Sequence, residues 1–388
     1  LSEPIATIVG NPGLGIVIVI ACIQLPLTSF SSIQMALYRR DLDFKTLFLI
    51  RIVSVSIPFV VTVPLALMGF NYWSLIIGTI FGQLLNAVIL TMKSKWKPKP
   101  YYNIAILKGM LSFSIWSLIE SISIWLTTWI DAFIIGSVLS SYYLGLYKTS
   151  TTVVNGVMSL ITAATAPVLF SALCRLQNNN DQFQSMFFKT LRIVSIFVFP
   201  LGIGVFLYSD LVTHILLGSE WSEANVVIGH WALTSALMTV FGHYCSEVYR
   251  AKGRPKLSFL AQVLHLICLV PVCILSSTFG FWILVIARSW IRMQFVLVHF
   301  LIMKFAIGIP IIRMLRNVLP TAISAILMGV VGFVLQQLYE GMIWSFISIV
   351  ICAVFYFAFL FLFQNMRREV LGLIGKVQIR RNVNSLRN

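Results

Sequence analysis

From one end of this sequence to the other, apolar runs of about 20 residues recur, each the length that carries a helix across a bilayer core. Lipid offers no partners to backbone N–H and C=O groups, so such runs must close their hydrogen bonds internally as helices. A membrane barrel would instead show segments of roughly ten residues with alternating hydrophobicity, a pattern this sequence lacks. Composition agrees: 59% of the 388 residues are hydrophobic and 10% are charged, against roughly 25% charged in soluble domains. The sequence therefore specifies an all-α polytopic membrane protein.

Eleven spans can be drawn, near 14–37, 46–69, 72–92, 109–137, 145–173, 189–208, 224–248, 257–277, 279–304, 317–337 and 342–364. The connections between them alternate in charge. Arg39, Arg40 and Lys45 follow the first span, and the second connection, around Gly69 to Asn71, is neutral. Lys93, Lys95, Lys97, Lys99 and Lys108 crowd the third, and the fourth, near Ser140, has no charge. Arg175, Lys189 and Arg192 mark the fifth, whereas the sixth holds only the acids Asp210, Glu220 and Glu223. The seventh has Arg250, Lys252, Arg254 and Lys256, and the eighth, Ser276 to Phe279, is neutral. Lys304, Arg313 and Arg316 fill the ninth, and Glu340 stands alone in the tenth. The tail carries Arg367, Arg368, Lys376, Arg380, Arg381 and Arg387. Basic connections face the cytoplasm, which places the tail inside and Leu1 outside. A missed or invented span would break this alternation, so the count rests on charge as well as hydropathy.

The formal charge of +16 is thereby distributed over short loops, and no basic, aromatic-interleaved patch suited to nucleic acid remains. No connection is long enough for a soluble catalytic domain, and no GxxxxGK[ST] match signals a built-in ATPase. Cys22, Cys174, Cys245, Cys268, Cys273 and Cys352 lack CxxC spacing and read as small buried hydrophobes rather than zinc ligands. His230, His243 and His265 fall in apolar segments without an HExxH pattern. No metal and no cofactor is expected. The chain begins Leu-Ser-Glu-Pro, with neither a start methionine nor a signal peptide, and reads as missing its beginning.

Ionisable groups inside spans are candidate functional residues. Glu120 and Asp131 share the fourth span, and at about 100° per residue they lie on nearly the same face. Glu120 is expected near mid-membrane and Asp131 near the outer surface, either lining a cavity or forming a polar seam between helices. Arg288 and Arg292 sit one turn apart in the ninth span. A guanidinium pair facing a cavity suits a phosphate through bidentate charge-assisted bonds; the alternative is an ion pair between Arg288 and Glu120. Lys148 could bind a phosphate or snorkel outward. Glu247 is expected to pair locally with Arg250, and Arg51 to anchor the second span on its inner side.

The stretch IDAFIIGSVLSSYYLGLYKTS (130–150) resembles the seventh helix and following turn of polysaccharide exporters, with Asp131, Gly136, Gly145 and Tyr147 matching their pattern. ALYRRDLDFKTL (36–47), FNYWSLIIG (70–78), APVLFSALCRLQNNNDQF (166–183), LLGSEWSEA (216–224) and YRAKGRPKLS (249–258) match in the same order. In FNYWSLIIG, Asn71 stands where glycine is more usual. The chain is thus similar to the Wzx-type flippases of the multidrug/oligosaccharidyl-lipid/polysaccharide superfamily. The resemblance implies fourteen helices in two six-helix lobes plus two, with three missing from the start. Residues 1–92 would be the remainder of the first lobe, 93–108 a basic inter-lobe loop, 109–304 the second lobe, 305–364 two added helices and 365–388 a basic tail. It implies a transporter, not an enzyme, that moves a polyprenyl-diphosphate-linked oligosaccharide to the outer leaflet. A glycan polymerase and other assembly proteins are candidate partners. A cation-coupled drug exporter, a peptidoglycan-precursor flippase and a membrane polysaccharide polymerase are the alternatives. The expected binding residues are Arg288, Arg292, Glu120, Lys148 and Asp131; Gly136 and Gly145 are expected to permit a tight turn and close helix approach, with Tyr147 at the interface.

Overall fold

The computed structural model describes residue 3 and residues 14–94, 96–97, 103–339, 341–364 and 366–372. Lys95, Lys99, Glu340 and the tail residues Lys376, Arg380, Arg381 and Arg387 lie outside the described residues.

Among the described residues, 11 helices are long and apolar enough to cross a membrane. They are α1 (Gly15–Arg40), α2 (Phe44–Leu67), α3 (Trp73–Lys93), α4 (Ile104–Val138), α5 (Ser141–Arg175), α6 (Asn180–Leu207), α7 (Ala224–Ala251), α8 (Pro255–Ser277), α9 (Phe281–Ile307), α10 (Ile311–Leu338) and α11 (Met342–Leu362). Each expected span corresponds to one of them. Several helices run further than the apolar signal does, because polar turns continue the backbone ladder. The first turns of α6 are hydrophilic, and Asn179 caps them by accepting from the Gln182 amide at 3.1 Å.

The chain divides into two compact units, residues 1–104 and 105–388. In the first, α2 and α3 pack side by side. A Cβ added at Gly78 would stand 2.0 Å from Thr62 Oγ1, and one at Gly82 would stand 2.7 Å from Pro58 Cγ. This G-x-x-x-G face lets two backbones approach as small residues do in membranes. Asp43 opens α2 as its N-cap, accepting from the Thr46 amide at 3.2 Å and hydroxyl at 2.7 Å.

The second unit holds α4 to α11, with α6 packed against α5, α7 and α10. Gly202 of α6 faces Ala236 of α7 so closely that a Cβ would come within 2.4 Å of the alanine methyl. The two last helices dock onto α6 through buried polar bonds. Thr321 meets Ser195 at 2.9 Å, and the Tyr356 hydroxyl donates to the Ile196 carbonyl at 2.7 Å.

Two helices depart from regular geometry. A π turn, Thr239–His243, interrupts α7. Helix α9 is broken at Ile291 and closes in a second π turn, Met303–Ile307. Such turns redirect side chains and frequently mark functional sites.

Between α4 and α5 the turn is made by Ser140, which is extended and caps α5 through the Tyr143 amide. The expected role of Gly145 is corrected here: it lies within a regular helix, and a Cβ there would meet nothing within 4 Å. Gly136 does sit close to a neighbour, with Leu144 Cδ2 3.3 Å from the added Cβ.

Candidate functional site

The site is built where helix register brings polar groups level. Asp131 precedes the end of α4, and Arg288 follows the start of α9, by about 10 Å at 1.5 Å per residue. Trp231 lies at a similar distance along α7. Asp131 Oδ2 accepts from Arg288 Nε at 2.8 Å and from the Tyr147 hydroxyl at 2.7 Å. Its Oδ1 accepts from the Ala132 amide at 2.7 Å. The Arg288 and Asp131 side chains are only 5% and 3% exposed. Asp131 is therefore buried among the helices of the second unit rather than exposed at the end of α4. Tyr147 is buried, with its hydroxyl committed to this carboxylate. The ion pair and its tyrosine tie α4, α5 and α9 together.

Glu120 lies elsewhere. Arg250 Nη2 donates to it at 2.8 Å, and Arg250 Nη1 reaches Glu247 at 3.2 Å. The expected local pairing of Glu247 with Arg250 is present, but the alternative of a Glu120–Arg288 pair is not. Glu120 and Asp131 do share a face, yet they are about 16 Å apart along α4. Arg288 comes level with Asp131, so Glu120 turns to Arg250 near the far end of α7.

The break at Ile291 separates the fates of the two arginines. Arg288 is sealed against Asp131, whereas Arg292 donates to Ser235 Oγ at 2.7 Å and lies 4.4 Å from the Trp231 ring centre. Arg288 lies 5.0 Å from the same ring. The indole N–H of Trp231 is held by Asn155 at 3.0 Å, which fixes the plane on which both guanidiniums rest. Among the described residues, no carboxylate lies within ion-pairing distance of Arg292.

Arg292 opens onto a cavity of about 290 Å³ inside the second unit. Glu120, Asn155, Ser235, Thr239 and His243 also line it, so the π turn of α7 contributes directly to its wall. Of the five expected binding residues, Arg292 and Glu120 face this cavity; Arg288, Asp131 and Lys148 do not. Lys148 lies 4.0 Å from the Trp129 ring centre and donates to the Thr128 carbonyl at 3.4 Å. Sequence reasoning missed Trp231, because an aromatic in an apolar run carries no mark of its partners. It also passed over Ser258 and Gln262, both on the cavity wall, whose i,i+4 spacing in α8 was a readable polar stripe.

Residues 1–226 match the family model described as polysaccharide biosynthesis protein. The lipopolysaccharide biosynthesis protein WzxC of Escherichia coli (strain K12) is 22% identical over 322 residues, covering 79% of this chain and 63% of that protein. The succinoglycan biosynthesis transport protein ExoT of Rhizobium meliloti (strain 1021) is 22% identical over 238 residues, covering 61% of this chain and 48% of that one. The chain thus spans less than two thirds of the length of these relatives. Among solved structures, the lipid II flippase MurJ in an inward closed conformation shares the fold, with a TM-score of 0.60 at 17% identity. That likeness covers 79% of this chain and 65% of the other.

Proposed function

Because the chain belongs to the polysaccharide biosynthesis protein family, we propose that it moves a polyprenyl-diphosphate-linked oligosaccharide across the bacterial cytoplasmic membrane. A diphosphate and its sugars are costly to place in hydrocarbon, so a carrier must offer a polar, cationic path while the lipid tail stays in the bilayer. Alternating access around a site within the spans is the motion that suits such a cargo. The basic connections and the tail would face the cytoplasm, and a glycan polymerase is the class of partner that would use the delivered product.

The observation that carries this reading is Arg292, stacked on Trp231, unpaired with any described carboxylate and open to a polar cavity within the spans. A guanidinium so placed can give a phosphate two charge-assisted hydrogen bonds. Glu120, the cavity's acid, is already paired with Arg250 at 2.8 Å, which disfavours a cationic drug as cargo. Arg288 takes a structural part in this scheme, holding α9 so that Arg292 meets the cavity.

The test is reconstitution of the chain in proteoliposomes with a fluorescent polyprenyl-diphosphate-linked disaccharide, followed by chemical quenching from outside. Protein-dependent exchange between leaflets that Arg292→Gln abolishes at equal reconstitution is the expected result. Wild-type vesicles indistinguishable from empty ones would refute the proposal.

A further inference from the structure

The cavity has two chemically different ends. Along α9, Arg292, Phe295 and His299 all line it and follow one stripe about 10 Å long. At one end Arg292 is the cationic group. Near the other end stand Ser258 and Gln262 of α8, at i,i+4 spacing on one face.

These neutral residues share an unusual property. Ser258 Oγ, Gln262 Oε1 and His299 Nε2 are buried and have no hydrogen-bond partner. All three residues are more than nine-tenths buried and belong to the cavity wall. A buried polar atom left unpaired costs about 1–3 kcal/mol, so three together around one space point to a ligand that satisfies them. The opposite nitrogen of His299 is held near the Tyr249 hydroxyl at 3.2 Å, which fixes the ring and keeps Nε2 turned away from that contact. Phe295 packs between His265 and His299, with ring centres 4.5 and 4.6 Å away. It offers the cavity an apolar surface beside the polar atoms.

Gln262 Oε1 only accepts hydrogen bonds, and an ionised phosphate only accepts them too. The Ser258 hydroxyl and the His299 ring can each donate or accept, and the Glu120 carboxylate lines the same cavity. This end therefore favours a neutral group over a second phosphate. It suits a group that donates as well as accepts and that also presents C–H surface. A pyranose ring has all three properties. We propose that Ser258, Gln262 and His299 form a subsite for the sugar joined to the lipid diphosphate, with the phosphates at Arg292. This inference rests on the carrier reading above and adds to it which part of the cargo each end recognises.

The experiment compares two soluble probes on the purified full chain in nanodiscs: farnesyl diphosphate and farnesyl-diphosphoryl-glucose. Binding is followed by tryptophan fluorescence, since Trp231 lies beneath Arg292. Wild type should bind the glycosylated probe more tightly than the bare one. Gln262→Leu and Ser258→Ala should each weaken the glycosylated probe by about three- to tenfold, the scale of one lost hydrogen bond, and leave farnesyl diphosphate unchanged. Arg292→Gln should weaken both probes. Ser258→Ala is small enough to keep the inference testable should Gln262→Leu fail to fold. Equal affinity for the two probes, with both neutral variants silent and Arg292→Gln still damaging, overturns the sugar subsite and leaves the carrier reading standing. Failure of wild type to bind either probe overturns both.

Discussion

Removing the Asp131 carboxylate should be among the most damaging single changes in the second unit. Asp131→Ala leaves the Arg288 guanidinium buried without its counter-charge and orphans the Tyr147 hydroxyl. Breaking a buried ion pair from one side costs about 3–5 kcal/mol, and the 2.8 Å contact with side chains 5% and 3% exposed places this pair in that class. Tyr147→Phe deletes only the 2.7 Å bond to the carboxylate, so it should cost about 1.5–3 kcal/mol, the value for a hydrogen bond to a charged group. The informative variant is the double one. Asp131→Leu with Arg288→Met removes both desolvated charges at once, and such replacements are often neutral or stabilising. It should therefore be more stable than Asp131→Ala. The assay is unfolding of the purified chain in mixed micelles titrated with sodium dodecyl sulfate. The double variant should also retain binding of farnesyl diphosphate, which Arg292→Gln weakens, because Arg288 is structural in this scheme. An Asp131→Ala variant within about 0.5 kcal/mol of wild type, the range of ordinary surface changes, would refute the reasoning. So would a double variant no more stable than the single one.

Three further predictions concern other parts of the fold. Gly78→Ala should destabilise the α2–α3 pair by about 1–3 kcal/mol, the cost of overpacking. The added methyl would fall 2.0 Å from Thr62 Oγ1, so Thr62→Ala should recover part of the loss in the same unfolding assay. Gly145→Ala should be neutral or stabilising by about 0.5–1 kcal/mol, since alanine favours a helix interior and nothing lies within 4 Å. At the start of α2, the Thr46 hydroxyl, and after it the Thr46 amide, hold the Asp43 carboxyl below its ordinary value. A depressed folded pKa means that the cap's contribution is present above the unfolded value of about 3.9 and is lost as pH falls through the folded one. Wild type should thus lose stability relative to Asp43→Asn in acid, and melting curves at pH 6 and pH 3 read the difference.

How far the sequence could be read follows from which forces are local. The number of spans is set by transfer of about 20 residues at a time and by loop charge, both local quantities, so all eleven helices were legible. Helix ends were not, because a ladder that has left the lipid can continue through polar turns, as α6 does from Asn180. Face was legible for Glu120 and Asp131, since helical periodicity is local. Partners were not, because they depend on which residues of other helices come level, and nothing local to α4 says that Asp131 meets Arg288.

The missed pairing of Asp131 with Arg288 had its remedy in the turn at Ser140. An antiparallel hairpin acts as a ruler: residues at similar distances from the turn come level, at about 1.5 Å per residue on each side. Asp131 and Tyr147 flank Ser140 at comparable distances, and in the structure they share a 2.7 Å hydrogen bond. Measured likewise from the start of α9, Arg288 reaches the same level and Glu120 does not. The Asp and Tyr of the motif that marked the family are thus one interaction seen twice along the chain. What no local rule could supply is the break at Ile291, which assigns one arginine to the ion pair and the other to the cavity. Two guanidiniums on one indole repel each other unless one is neutralised, and Asp131 neutralises the one that cannot reach the cavity. The charge left over on Arg292 is the part of the site available to an anionic cargo.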